Sequence, residues 1–383
     1  MRTVCRGFIR PMPVENPPLT PETPLPPILT FAPAYFDRIW GGTRLKEELG
    51  FDVPTERRIG EAWLVSDHSE CQSVVVEGPL AGATLGELVR SHGTTLLGGR
   101  AQPTPEGRFP LLLKLIDAGM ALSVQVHPDD AAAVRLGETD IGKTEMWHVL
   151  SAEQDAALIC GLRDGATPKE FHAAMVDGTV AGLMRSCDAR EGVSLFVPAG
   201  TVHAIGKGIL LAEIQQNSNI TYRVFDWNRV DGQGRPRALH PEQAMACIRF
   251  DTADTGPAVP LGLESRDILC ACRYFAAERR FPDKNRVWEK GTDSFHLVLA
   301  GEGFVTVKAD GVSRKLTRGR AALIPGCVPA YTLDGESPAL VYYVPDLACD
   351  IVGPLLAADH ARAAIAGLGG PAPTNDLASL LEA

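Results

Sequence analysis

The stretch Leu122-Ser123-Val124-Gln125-Val126-His127 decides the reading of this chain. Apolar residues 122, 124 and 126 alternate with polar 123, 125 and 127, the period of two that sends successive side chains to opposite faces of a β-strand. Ser123, Gln125 and His127 then share one face, and a polar face inside a barrel needs a chemical reason. Outward from it, short strand-like runs recur at 60–65, 72–77, 111–116, 145–150, 156–160, 194–197 and 209–215. Gly, Pro and Asp punctuate them, which predicts a β-sandwich or barrel. Helical stretches at 85–97, 168–175 and 241–248 interrupt the strands, the last two opened by Thr167-Pro168 and His240-Pro241 with proline in the first turn.

The same alternation extends the polar face. Glu145 and Trp147 lie on one face of the run 145–150, His148 lies on the other, and Pro198-Ala-Gly200-Thr-Val-His203 supplies a further imidazole after a tight turn. Gln125, His127, Glu145 and His203 together form a candidate metal site with two neutral nitrogens, a neutral oxygen and a carboxylate. With no thiolate, this set is unlike closed structural zinc sites and leaves a divalent ion room for water or a substrate oxygen.

The remaining sequence bounds the setting. A chain of 383 residues is long enough for two or three domains. Lys plus Arg at 37 against Asp plus Glu at 47 gives a net charge of −10, which argues against nucleic acid or an anionic membrane as the main partner. No apolar run approaches the roughly 18–20 residues of a membrane span. Nine scattered cysteines, an odd number without a CxxC pair, read as reduced thiols of a cytoplasmic protein, and Cys270 and Cys272 read as small core residues.

Eight of the seventeen residues from Pro11 to Pro27 are proline, so residues 1–27 are expected to be an extended leader outside the fold. Residues 28–255 form the expected catalytic domain, the loop 251–261 a boundary, 262–350 a second strand-rich domain, and 351–383 a tail with helix over 354–366. Gly192-x5-Pro198 is echoed by Gly319-x5-Pro325, and His148-Val-Leu by His296-Leu-Val-Leu, which predicts two copies of one barrel. The second copy reads Pro325-Gly-Cys-Val-Pro-Ala330-Tyr331 with no imidazole in register, so it is expected to bind no metal.

Gly192-x5-Pro198-x-Gly200-x2-His203 matches the second motif of the cupin superfamily, and the run from Pro33 to Phe250 resembles the type I phosphomannose isomerases. The matching pieces are Arg38-Ile-Trp40-Gly-Gly42, Gly60-Glu61-Ala-Trp63, Leu113-Lys114-Leu-Ile116, Leu122 to Pro128, Lys143-Thr-Glu145-Met-Trp147 and Ile220-Thr-Tyr-Arg223-Val-Phe-Asp226-Trp. The resemblance implies a mainly β fold of two cupin-like jelly-roll barrels with helical insertions. It also implies one zinc ion per chain, its ligands falling on Gln125, His127, Glu145 and His203, the set already reached from strand faces.

The activity implied is interconversion of mannose 6-phosphate and fructose 6-phosphate by a monomer or homodimer. The resemblance puts catalytic roles on Arg223, Lys114 and Glu213, and places Ser123, Lys143, Arg229, Trp40 and Glu61 around the sugar phosphate. Arg223, Lys143 and Arg229 are the expected phosphate donors. Three positions depart from the family: Gly142 where many relatives carry His, Asn219 where longer enzymes carry an acid, and Ile205 where they often carry Tyr. Two rival readings therefore stand beside the isomerase: another metallocupin enzyme such as a dioxygenase, and a sugar-phosphate-binding cupin without turnover.

Overall fold

The computed structural model describes residues 23–54, 56–230, 233–250 and 256–382. Most of the proline-rich leader and residues 251–255 of the boundary loop lie outside the described residues. Leader residues 23–27 depart from expectation by lying against the body, where the Thr23 carbonyl accepts from His92 Nε2 at 2.8 Å and Leu25 packs on the core.

The chain folds mainly into antiparallel β-sheet arranged as two cupin-like barrels. One sheet of the first barrel has the order Ser194–Val197, Glu145–Ala152, Ile209–Gln216, Leu111–Ala118, Ala34–Gly42, Ile59–Val65. Its second sheet has the order Met184–Asp188, Ala157–Leu162, His203–Ile205, Val124–Val126, Tyr222–Phe225. The three-residue strand Val124–Val126 is shorter than the alternation predicts, because Pro128 follows His127 with no N–H to offer a ladder.

Alternation explains why strands Leu111–Ala118 and Ile209–Gln216 are buried along their whole length. Leu113, Leu115, Met146, Leu210, Ala212 and Ile214 point away from the first barrel into a core shared with Leu269, Leu297, Leu299, Leu323, Leu340 and Tyr342 of the second. The intervening residues, among them Lys114, Glu145, Trp147 and Glu213, face the first barrel's interior. One sheet thus floors the site and also forms the seam between barrels. A further join crosses the expected domain division: Leu29–Ala32 pairs with Ala321–Ile324, Leu29 opposite Leu323, and on its other side with Val74–Val75, so the N-terminal strand extends a sheet of the second barrel toward the first.

Helices follow their sequence signals. Thr84 and Thr167 each close a capping box, with Glu87 and Glu170. The stretch predicted as one helix over 85–97 is two, Leu85–His92 and Thr94–Leu97, because Gly93 turns the chain at φ 43°. The helix expected over 354–366 is likewise split into Gly353–Ala357 and Arg362–Gly367, with Asp359 at φ 60° between them.

The second barrel fills its interior with an ion-pair network. Glu278 accepts from Arg280 Nε at 2.7 Å and from the Tyr343 hydroxyl at 2.6 Å, and Arg280 Nη1 donates to the Tyr331 oxygen at 2.7 Å. His296 reaches the same Tyr331 oxygen at 3.0 Å. The Arg280 guanidinium lies 4.5 Å from the centre of the Trp288 ring. Glu278→Ala strands that guanidinium in the interior, so unfolding in urea is expected to show a loss of about 3–5 kcal/mol. Cys270 and Cys272 belong to the apolar core, as the sequence predicts.

Candidate metal centre and pocket

Strand register assembles the site from both sheets of the first barrel. On one, Gln125 is paired across to His203 on one side and to Arg223 on the other. On the opposite sheet, Gln215 pairs with Glu145, and Glu213 with both Trp147 and Lys114. His127 follows the Val124–Val126 strand and meets His203 with the two Nε2 atoms 3.1 Å apart. Glu145 completes the cluster, its Oε2 3.4 Å from His127 Nε2 and its Oε1 3.4 Å from His203 Nε2. The Gln125 amide end lies 3.3 Å from His203 Nε2, and Gln125 Oε1 accepts from the Ser123 hydroxyl at 3.4 Å.

The donor set fits a divalent cation. His127 Nδ1 donates to the Ile220 carbonyl at 2.7 Å and His203 Nδ1 to the Thr201 carbonyl at 2.8 Å, which fixes both tautomers with bare Nε2 lone pairs turned toward each other. Burial, and then the Lys143 charge, push His127 down to about 3; burial, partly opposed by Glu145, also lowers His203. Both imidazoles are therefore neutral ligands at neutral pH. Glu145 is fully buried, yet Lys143, His127 and His203 outweigh that burial and hold its carboxyl well below the usual range. Its Oε1 accepts no hydrogen bond among the described residues. The Lys143 ammonium stands 3.1 Å from the His127 lone pair, and the two converging imidazole nitrogens with the orphaned Glu145 Oε1 make a donor set suited to a divalent cation.

A cavity of about 360 Å³ opens beside the cluster, within the usual ~300–1,000 Å³ of small-molecule clefts. Along its floor charges alternate. Arg38 Nε donates to Glu61 Oε1 at 2.7 Å, Lys114 Nζ lies 3.4 Å from Glu213 Oε1, and Lys143 Nζ lies 3.9 Å from that oxygen and 2.5 Å from Glu145 Oε2. Trp63 and Trp147 donate their indole N–H groups to Glu61 at 2.7 Å and Glu213 at 3.0 Å, so the aromatic residues orient the carboxylates. The two acids are tuned apart. Burial raises Glu61, but Arg38 and Lys114 outweigh it and bring it down to about 2; burial, then Glu145, push Glu213 up despite Lys143 and Lys114.

Of the residues singled out from sequence, Trp40, Glu61, Lys114, Ser123, Gln125, Lys143, Glu213 and Arg223 line this cavity. Arg229, also expected as a phosphate donor, is not among the lining residues. Its guanidinium is drawn behind the wall by the Asp226 carboxylate and the Ala121 carbonyl, and is spent there. Arg237, which sequence reading missed, stands in the lining instead, held by Asp226 with Nε 2.7 Å from Oδ2. No local pattern marks a loop arginine whose value depends on a distant carboxylate. Arg38 was also missed, although its spacing of two from Trp40 on the strand Ala34–Gly42 is a visible signal.

One of the departures has a steric cause. A Cβ at Gly142 would stand 2.5 Å from the Asp130 nitrogen and 2.6 Å from the Asp129 carbonyl carbon, so this loop is packed too tightly for a side chain. Asn219 and Ile205 both line the cavity, and the Asn219 side chain donates to Glu70 Oε1 at 2.9 Å. His148 is turned away from the cluster and bonds the Ser194 hydroxyl at 2.9 Å.

Fold and site together define a two-barrel cupin with a buried His-Glu-His cluster at the base of a cation-lined pocket. Comparison with known proteins gives the narrower class. Residues 28–145 match the family model of the phosphomannose isomerase type I catalytic domain. The chain is 36% identical over 312 residues to "Probable mannose-6-phosphate isomerase GmuF" of Bacillus subtilis (strain 168), covering 80% of this chain and 96% of that protein. It is 36% identical over 303 residues to the mannose-6-phosphate isomerase of Streptococcus mutans, covering 78% and 92%. The crystal structure of the mannose 6-phosphate isomerase from Bacillus subtilis superposes with a TM-score of 0.73 at 31% identity, covering 83% of this chain and 99% of that one. The chain belongs to the type I phosphomannose isomerase family.

Proposed function

We propose that this protein interconverts mannose 6-phosphate and fructose 6-phosphate, with one zinc ion held by Gln125, His127, Glu145 and His203. The single observation that carries the reading is the placement of that ligand cluster at one end of a cavity that also holds the Lys114–Glu213 pair and the arginines 38, 223 and 237. An aldose–ketose isomerisation moves a proton between C1 and C2 through an enediol. It needs a base beside the carbon, charge stabilisation at the sugar oxygens and a grip on the phosphate. Bound zinc supplies Lewis-acid stabilisation of negative charge on oxygen.

The chain's own residues supply the rest. Glu213, raised by burial and held by the Trp147 N–H, is placed to take and return the proton, with the Lys114 ammonium 3.4 Å away to stabilise its ionised form. Arg223 and Arg237 face the cavity as phosphate donors, a charged guanidinium pair suited to a dianion. Trp40, Ile116 and Leu122 give the pocket apolar walls that exclude water from the reacting carbons. A family of sugar-phosphate enzymes and eight unbridged thiols among the described residues fit a cytoplasmic setting.

The direct test is solvent exchange. Incubated with fructose 6-phosphate in D₂O, the protein is expected to yield mannose 6-phosphate carrying deuterium at C2; binding without any exchange would favour a non-catalytic sugar-phosphate cupin.

A pH profile tests the base. Because Glu213 works ionised and burial raises it, the acid limb of kcat is expected to lie above the ordinary carboxylate value of about 4.3. A cation beside Glu145 offsets the charge repulsion but not the burial. In Glu213→Gln the residual rate should lose that limb; a limb that persists unchanged assigns the ionisation to another group.

A further inference from the structure

We infer that Asp130 and Tyr274 are positioning residues for Lys143, so that the second barrel sets the placement of an ammonium group in the first barrel's site; the kinetic part of this inference rests on the isomerase reading. Lys143 is buried, with its Nζ 3.9 Å from Glu213 Oε1 as well as against Glu145. Its Nζ stands 2.5 Å from Glu145 Oε2 and 3.1 Å from His127 Nε2, a placement that tolerates little play. Yet Lys143 lies outside any strand, just ahead of Glu145–Ala152, where the sheet ladder does not fix its backbone.

Its own N–H donates to the Pro128 carbonyl at 2.9 Å, and Asp130 braces the residues on either side of it. Asp130 Oδ1 accepts from the Gly142 backbone N–H at 2.8 Å and from Gln216 Nε2 at 3.0 Å, while Gln216 Oε1 accepts from the Thr144 N–H at 2.9 Å. The residues on either side of Lys143 are thus both tied to one carboxylate, one directly and one through Gln216. The close approach this requires is the reason no side chain fits at Gly142. The other oxygen, Oδ2, accepts at 2.7 Å from the hydroxyl of Tyr274, a residue between strands Arg266–Ala271 and Ala276–Arg280 of the second barrel. Tyr274 packs against the core shared by the two barrels, so its hydroxyl is a fixed point and not a swinging group. The line of force runs from the shared core through Tyr274 and Asp130 to the peptide units that flank Lys143.

The test uses Asp130→Ala, Asp130→Asn and Tyr274→Phe, alone and in a Lys143→Met background. Asn keeps an oxygen that accepts from Gly142 and Gln216, and Phe removes one hydroxyl without emptying the core. Asp130→Ala is expected to lower kcat about 10–100-fold with KM within about twofold. Asp130→Asn should restore most of that loss, and Tyr274→Phe should cost a smaller factor in kcat. In the Lys143→Met background Asp130→Ala should lower kcat by no more than about twofold further, because the group it positions is gone. Losses that multiply in that background would make Asp130 merely structural and overturn the route through Lys143.

Hydrogen exchange of the peptide spanning 129–144 reads the clamp without reference to turnover. Faster exchange at Gly142 is expected in Asp130→Ala and Tyr274→Phe, and exchange unchanged in both would overturn the clamp itself. A wild-type protein without isomerase activity would end the isomerase reading while exchange still decides this one.

Discussion

Replacing His127 by alanine is expected to empty the metal site and to lower turnover by about a thousandfold or more, with the barrel still folded. His127 Nε2 lies 3.1 Å from its counterpart on His203 and 3.4 Å from Glu145, so its removal deletes one of the converging donors and leaves Lys143 as the main neighbour of the carboxylate. Lewis-acid stabilisation of developing charge is worth several kcal/mol, and about 4 kcal/mol corresponds to that thousandfold. Metal quantified on the purified variant beside its rate decides the matter. A variant that retains full metal content and full activity would remove His127 from the centre.

Arg223→Ala is the complementary case, with an expected loss of about 10²–10³ in kcat/KM and metal content near normal. Arg223 is paired across the sheet with Gln125, close enough to the cluster to serve the substrate bound there, but its bonds go elsewhere. Its Nη1 donates to the Ala238 carbonyl at 2.9 Å, its backbone N–H donates to His240 Nδ1 at 3.0 Å, and its buried Nε has no hydrogen-bond partner among the described residues. A buried donor left without an acceptor points to a ligand that supplies one. Arg223→Lys is expected to recover little, because an ammonium replaces a forked guanidinium by a point charge. Loss of the fold in Arg223→Ala would instead make the residue structural.

The parts of this site that follow from a period of two were legible in the sequence. Gln125 and His127, and Glu145 with Trp147, are local alternations, and the structure brings these residues and His203 to one place. Cap signals were equally local, as the Thr167 capping box shows. The rest depends on contacts between distant segments. Arg229 and Arg237 compete for the same Asp226, and only the folded loop decides which of them faces the cavity. The exchange of Leu29–Ala32 into the second barrel's sheet carries no sequence mark, since a four-residue apolar strand fits either sheet. Gly93 and Asp359 ended helices that periodicity alone would have continued, because their backbones adopt positive φ.

The account stands most directly on isomerisation of mannose 6-phosphate by the purified protein, measured as isolated, after chelation and after zinc is restored, with bound metal quantified on each sample. Activity that disappears with the metal and returns with zinc in proportion to occupancy is the predicted result. A fully metallated protein with no turnover, or one whose turnover survives complete removal of the metal, would contradict it.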